Sequence, residues 1–489
     1  MNLLKDDFIS TTEGKVSLKT LLTSGHDYQL QYYFDETQLA MLQLLGSLTT
    51  VVLKPSLIEL ANYLSEGVSE AQYEEALSNV DLQWFEDSWF MRSKAAPDAK
   101  VFGADICKLV SGIESSGTGN ASGLFSEMVA VSDICSDCTH VLNYNLHMNI
   151  KGDCFGSSGA TGIRGGGAIS TLVAGSDLRT TILANTIAID YFEKNAQLDE
   201  PECRVMWDQQ ITGDFYSAQK IGLERGLFAL VYHIDFPVID EPCICDVCGH
   251  QSDVSVKRFL RVKYKGSYGS KKTGRDANAG LWLHPYTPQV VKEDGMYSAC
   301  ARDQNWQSWQ EFSSYIIGKE TDKSSVKPAL IIRQYRELSS DPVNFLVGGN
   351  IADQASIIGR VYDLYAMPAS LNKYLSRVTQ VIDTGLIEKE NLSRAFNKMF
   401  GVGYDKNFVG GIKEQAMNRF LSNAQQIIQQ ILLDVNRKDA GALRRSAVSQ
   451  LNTEAKHIYA EVLRKYQHDL PLFKALVKGE RELLKVDNN

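Results

Sequence analysis

The chain has 489 residues, 44% of them hydrophobic and 22% charged, and a formal net charge of −9 at pH 7. This is an ordinary globular composition with room for two or three domains. It argues against a protein that coats nucleic acid through bulk positive charge, and no apolar run reaches the roughly 18–20 residues of a membrane helix.

The first residues, MNLLKDDFIS, place no long apolar stretch behind a basic start, so no signal peptide is expected and the cytoplasm is the default compartment. Nine cysteines in a chain this long do not make a disulfide scaffold; in a reducing compartment, paired cysteines point to metal or redox chemistry. Through about residue 360 the texture is mixed. Apolar runs such as TTVVL and GLFALVYHI alternate with Gly- and Ser-rich connections. In SEAQYEEALSNV, Ser69 and Gln72 form a predicted capping box at the start of a helix. The alternation of HVLNYNLHMNI predicts a half-buried strand. From about Met367 apolar residues recur at three and four spacing, as in Phe420, Ala424, Ile427, Ile431 and Leu432. That predicts a helical bundle of four or five helices, with a domain boundary near 360–370.

Three constellations could carry chemistry. ICSDCTH supplies Cys135 and Cys138, and CICDVCGH supplies Cys245 and Cys248, with Cys243 just before. Two C-x-x-C pairs can present four thiolates to one tetrahedral zinc, a closed site that is structural and not catalytic. The alternatives are two unrelated pairs or a redox pair, which should open a helix after a strand. The pairs lie 107 residues apart, so a shared site would join distant segments.

The glycine-rich run GDCFGSSGATGIRGGGAIS, residues 152–170, comes next. It has no Lys-Ser/Thr after its last glycine, which excludes a P-loop, and its spacing fails the dinucleotide fingerprint. Gly152-Asp153-Cys154-Phe155-Gly156 resembles a nucleophile elbow, but the glycines that follow cannot start the helix an elbow requires. That weighs against a Cys154 hydrolase. What is left is a loop whose glycines let backbone approach something closely. After the second cysteine pair, residues 257–275 hold eight Lys or Arg with no acid, and Tyr264 and Tyr268 lie among them. The run reads either as a solvated loop or, so close to a knuckle, as a phosphate-contacting segment.

Together these pieces resemble the CasA family, the large subunit of the type I-E Cascade complex of bacterial CRISPR immunity. The resemblance runs over nearly the whole chain, through MNLL, CSDCT, TGIRGG, AGSDLRTTILANTIAI, GLERGLF, CDVCGHQS, GLWLHPYTP and GGNIADQASI. It implies an α+β protein. A large mixed α/β N-terminal domain with a structural zinc site, residues 1–365, is followed by a C-terminal four-helix bundle, residues 366–489. It implies a non-enzymatic role: reading the protospacer-adjacent motif (PAM) of double-stranded DNA from the minor groove, wedging the duplex open and recruiting a helicase-nuclease. The implied partners are that DNA, the CRISPR RNA-bound backbone subunits, the small-subunit dimer and the helicase-nuclease. By motif, the lysine finger falls on Lys263 and the wedge on Asp353, Gln354 and Ala355. The glycine loop falls around Phe155, Gly156 and Ser157, and an earlier loop within 117–125 supplies Phe125. Two positions depart from the family pattern: Asp353 stands where Asn is usual and Ser157 where Gly is usual. Both put the usual PAM preference in doubt. A zinc-containing scaffold without PAM reading is the alternative.

Overall fold

The computed structural model describes residues 1–93, 100–110, 131–149, 162–164, 169–196, 198–208, 215–263, 267–269, 282–292, 297–299, 307–320, 324–353, 356–367 and 371–485. The chain divides into two compact units. The first comprises Met1–Gln304, Ser314–Ser339 and Asn344–Leu364; the second comprises Asn305–Ser313, Ser340–Val343 and Tyr365–Asn489.

The first unit is mixed, as expected. Its helices are α1 (Leu18–Thr23), α2 (Asp35–Leu53), α3 (Leu57–Glu66), α4 (Glu70–Leu77), α5 (Ser136–Met148), α6 (Leu178–Ala184), α7 (Ile189–Asn195), α8 (Leu223–Leu227) and α9 (Leu330–Leu338). The core is built on α2, whose residues are buried on nearly every side, including Leu39, Met41, Leu44, Leu48 and Val52. Helices α5 and α6 pack against it. Around this core lie small sheets. β1 (Ile9–Thr11) pairs with β2 (Gly14–Val16), and β3 (Phe102–Asp105) belongs to a sheet described below. β4 (Ser170–Ala174) joins a three-stranded sheet, and β5 (Phe215–Ser217) runs parallel to β10 (Ser267–Gly269). β6 (Tyr232–Asp235) and β9 (Arg258–Lys263) complete the order β3-β9-β6, while β7 (Cys243–Ile244) pairs with β8 (Gln251–Ser252). A further sheet has the order β12-β11-β14-β13, from Tyr297–Ala299, Gln289–Lys292, Ser324–Lys327 and Lys319–Glu320. The sheet of β4 has the order β16-β15-β4, with β15 spanning Val343–Asp353 and β16 spanning Ser356–Met367.

The Ser69–Gln72 capping box is present at the start of α4. The strand expected in HVLNYNLHMNI is instead helix α5, and every residue from Cys138 to Met148 is buried. A strand has two faces that alternate, whereas this segment has core all round it. Its Asn and His side chains are buried beside its apolar ones, so alternation in the sequence does not mark a wet face. The run TTVVL likewise ends helix α2.

The second unit contains α10 (Leu375–Phe396), α11 (Lys406–Leu432), α12 (Ala440–Lys465) and α13 (Leu470–Lys485). Helix α10 packs against the other three, as in a four-helix bundle. Sequence signals set the helix starts: Asp405 accepts from the backbone of Asn407 and Phe408, and Asp439 accepts from Ala442 N–H at 2.8 Å. On α11 the buried face carries Phe420, Ala424, Ile428, Ile431 and Leu432, so Ile428 and not Ile427 is its centre. Gly385 on α10 leaves room for Trp309, whose indole N–H donates to the Leu421 carbonyl at 2.9 Å.

Candidate metal centre and nucleic-acid interface

Cys135, Cys138, Cys245 and Cys248 converge. All four are buried, and their sulfurs lie within 4.8 Å of one another. A tetrahedral ion bound at about 2.3 Å separates its sulfurs by about 3.8 Å, and Cys135 and Cys248 stand at 3.9 Å. The residues fit a four-thiolate ion. Contacts with the other three sulfurs, and then burial, push the Cys138 thiol well above its ordinary value, while S–H donation from Cys135 and Cys138 lowers Cys245. Deprotonated together, the four sulfurs could share one cation.

Each side of the site is built locally. Cys135 is the N-cap of α5 and Cys138 lies in its first turn. This pair therefore does open a helix, as a redox pair would, but its sulfurs face the second pair. In the second pair Cys245 N–H donates to the His250 carbonyl at 3.0 Å and Gly249 N–H to the Cys245 carbonyl at 2.8 Å. Gly249 has φ +77°, a left-handed turn that suits glycine. The two knuckles are laced together. Ser132 and Asp133 N–H both donate to Asp246 Oδ2, at 2.7 and 2.9 Å, and Asp246 N–H donates back to the Asp133 carbonyl at 2.9 Å. The N-terminal segment closes the third side. Gln31 donates to the Cys248 carbonyl at 2.7 Å, Tyr33 N–H donates to Val247, and Lys15 pairs with Asp137. No sequence pattern marks Gln31 or Lys15, which approach only through the fold.

The basic run separates into different roles. Lys257 bridges Glu241 at 2.8 Å and Asp133 at 3.4 Å, and Arg258 sits 3.7 Å from Asp105. Arg261 is buried between the rings of Tyr232 and Phe102, with 5.4 and 5.8 Å to their centroids. Burial lowers its pKa from the ordinary value. Lys263 differs: it is the exposed last residue of β9, paired with Tyr232, and forms no ion pair with a described residue. Tyr268 is buried, its hydroxyl bonded to the Leu230 carbonyl, so it is not a stacking platform.

Asp353 is the last residue of β15, and β16 resumes at Ser356. Gln354 and Ala355, between the strands, lie outside the described residues, as do Phe125, Cys154, Phe155, Gly156 and Ser157. The roots of these elements are described. Gly348 on β15 lies so close to α2 that a Cβ there would meet Leu39 at 2.8 Å. Arg360 on β16 pairs with Asp35 at 3.2 Å. Arg164, within the glycine-rich run, is buried against the carbonyls of Met148 and Ile169. Arg179 is half-buried beside Gly67. Trp282 is core, its indole bonded to the Ile221 carbonyl at 2.9 Å. His284 is buried and held neutral by burial, as a packing and hydrogen-bonding residue.

No single helix among the described residues is long and apolar enough to cross a membrane.

The family model of CRISPR-associated protein Cse1 matches residues 2–458. The fold is similar to that of Thermus thermophilus CasA (Cse1), at 13% identity and TM-score 0.68, covering 99% of each chain. It is also similar to Cse1 from Acidimicrobium ferrooxidans, at 13% identity and TM-score 0.68, covering 100% of this chain and 98% of that one. A chain of a CRISPR RNA-guided surveillance complex matches at 13% identity and TM-score 0.64, covering 99% of each. The chain belongs to the Cse1 family, as the motif series indicated.

Proposed function

We propose that this Cse1-family chain is the large subunit of a CRISPR RNA-guided surveillance complex. In this reading it recognises the PAM of double-stranded DNA from the minor groove and wedges the duplex so that guide pairing can begin. The observation that carries the reading is a shared root. A cleft lined by Asn145 and Asn149, where the glycine-rich run leaves α5, is also lined by Gly349, Asn350 and Arg360 of the β15–β16 hairpin. Described residues that flank the two elements assigned to the groove and to the wedge thus line one cleft, which supports the reading. Lys263 adds an exposed cation at a strand end.

The physics of the role is coherent. The minor groove offers a degenerate set of acceptors plus one guanine amino donor, so one lysine and one close backbone read a short, tolerant motif. Gln354 would part the first base pair, at a cost of a few kcal/mol per unstacked step that duplex contacts offset. Guide pairing then reads the sequence, so the role requires no catalytic residue. Asp353 would be repelled by phosphate or accept from an exposed base amino group, and Ser157 would alter the fit in the groove. Both shift PAM preference. The four cysteines would hold a structural zinc, the ion that suits a closed four-thiolate site. The partners in this reading are the RNA-bound backbone subunits, the small-subunit dimer and a helicase-nuclease, in the cytoplasm.

The test is binding of PAM-bearing and PAM-less duplex by complexes assembled with Gln354→Ala and Lys263→Ala. Loss of PAM-dependent binding is expected. Unchanged binding in both would leave a scaffold role in its place.

A further inference from the structure

The buried guanidinium of Arg164 is 2% exposed and sits at a crossing of chain segments. Its Nε donates to Thr287 Oγ1 at 2.8 Å and its Nη2 to Ser170 Oγ at 2.8 Å and the Ile169 carbonyl at 3.3 Å. Its Nη1 donates to the Met148 carbonyl at 3.3 Å and to Asn149 Oδ1. Met148 and Asn149 precede the glycine-rich run, Arg164 lies within it, and Ile169 and Ser170 are its last two residues. One planar fork therefore gathers both ends of that run.

The contacts close into a ring. Asn149 Nδ2 donates to Gln43 Oε1 at 2.8 Å, and Gln43 Nε2 donates to Ser170 Oγ at 2.7 Å, the same hydroxyl that Arg164 reaches. Gln43 is fully buried on α2, the central helix of the unit. Each amide in the ring has its oxygen facing a donor and its nitrogen facing an acceptor, so flipping either side chain breaks bonds on both sides. Asn149 has a second outlook, since it lines the cleft shared with Gly349 and Asn350 of β15. It is the point at which the loop root meets the hairpin root.

We infer that the Arg164–Asn149–Gln43–Ser170 ring is a positioning device, and that Asn149 is a positioning residue for PAM recognition. A polar ring with Gln43, Arg164 and Ser170 buried and Asn149 half-buried is costly to leave half satisfied, and apolar packing would anchor a loop without it. What the ring adds is direction. It holds the described ends of the glycine-rich run, at Asn149 and Ser170, to α2 and beside the cleft that β15 and β16 line. The inference rests on the proposed PAM-reading function.

The experiment uses the assembled complex with its guide RNA and measures affinity for a PAM-bearing and a PAM-less duplex. Asn149→Ala and Arg164→Lys should assemble normally and bind the PAM-bearing duplex about tenfold more weakly, the scale expected when one buried polar partner is removed. Binding of the PAM-less duplex should not change, so selectivity narrows. Combined with Gln354→Ala, the loss should be less than additive, because both changes spoil one arrangement. Unchanged selectivity in Asn149→Ala and Arg164→Lys overturns the inference. If Gln354→Ala abolishes selectivity while Asn149→Ala does not, only this inference fails. If Gln354→Ala and Lys263→Ala leave selectivity intact, the PAM-reading function itself fails. Should Asn149→Ala not assemble, Asn149→Asp keeps the acceptor for Arg164 and removes the donor to Gln43. Narrowed selectivity in an assembled Asn149→Asp complex supports the inference. Failure of that variant to assemble assigns the ring to folding alone and overturns it.

Discussion

Cys135 and Cys248 are separated by 113 residues, and their sulfurs lie 3.9 Å apart. The sheath around them comes from three places: Gln31 and Lys15 near the N-terminus, Asp133 beside the first pair, and Asp246 within the second. An ion here would crosslink all three. Purified protein should carry about one zinc per chain by elemental analysis. Cys248→Ser should lose it and lower the thermal midpoint by several degrees, because site binding is linked to folding of the segments it joins. Chelation should do the same to the unsubstituted chain. A metal content far below one, with all four cysteines intact, would defeat this expectation.

The cysteine pairs were legible because two C-x-x-C pairs can supply the four sulfurs of one tetrahedral ion. The bundle was legible because each helix buries one stripe. Helix α5 was not legible: with Asn143, Asn145 and His147 buried beside Val141 and Leu146, no polar face remained to set the period. The polar ring was equally hidden, since Gln43, Asn149, Arg164 and Ser170 become neighbours only in the fold. The motifs that carry the family resemblance turn out largely to pack on one another. Arg164 of TGIRGG meets Thr287 of GLWLHPYTP, and the hydroxyl of Tyr286 donates to the Asn185 carbonyl of AGSDLRTTILANTIAI at 3.0 Å.

Gly226 of GLERGLF shows the cost of such packing. A Cβ there would lie 2.2 Å from Trp282 Cζ2. The indole cannot retreat, because its N–H is bonded to the Ile221 carbonyl and the ring is 1% exposed. Gly226→Ala should destabilise by about 1–3 kcal/mol, the range for overpacking. Gly410, in helix α11, has no described residue's atom within 4 Å of the same position. Gly410→Ala should therefore act with the opposite sign, stabilising by up to about 1 kcal/mol through helix propensity. Thermal melts of the two variants read both signs.

His147 makes stability depend on pH. Its Nδ1 accepts from Val231 N–H at 3.0 Å, which requires a neutral ring. Burial, then the charge of His233, pulls its pKa down to about 3. In the unfolded chain the value is about 6.5. Between these limits the unfolded chain binds the extra proton, so stability is lost as pH falls, by up to about 1.4 kcal/mol per pH unit. His147→Gln, whose amide oxygen can still accept from Val231, should narrow the stability difference between pH 7.5 and pH 5.5 by about 1 kcal/mol. An identical difference in both proteins would refute the assignment.

Lys263 and Arg261 lie two residues apart on β9, and their substitution should have different consequences. Arg261 is 6% exposed and wedged between aromatic rings, so Arg261→Ala should act on folding and lower the thermal midpoint. Lys263 is exposed at the strand end, where truncation leaves the core untouched. If it reaches DNA, Lys263→Ala should leave the melt unchanged and weaken duplex binding. The salt dependence then identifies the contact. A phosphate contact contributes close to one unit to the slope of log K against log salt, so the variant's slope should be shallower by about one and the loss should be the same for every sequence. A base-edge contact in the minor groove should instead leave the slope nearly unchanged and relax discrimination at one PAM position, by about 1–3 kcal/mol. Measuring both duplexes across a salt series separates these outcomes. A variant that binds like the unsubstituted protein at every salt concentration would remove Lys263 from the interface.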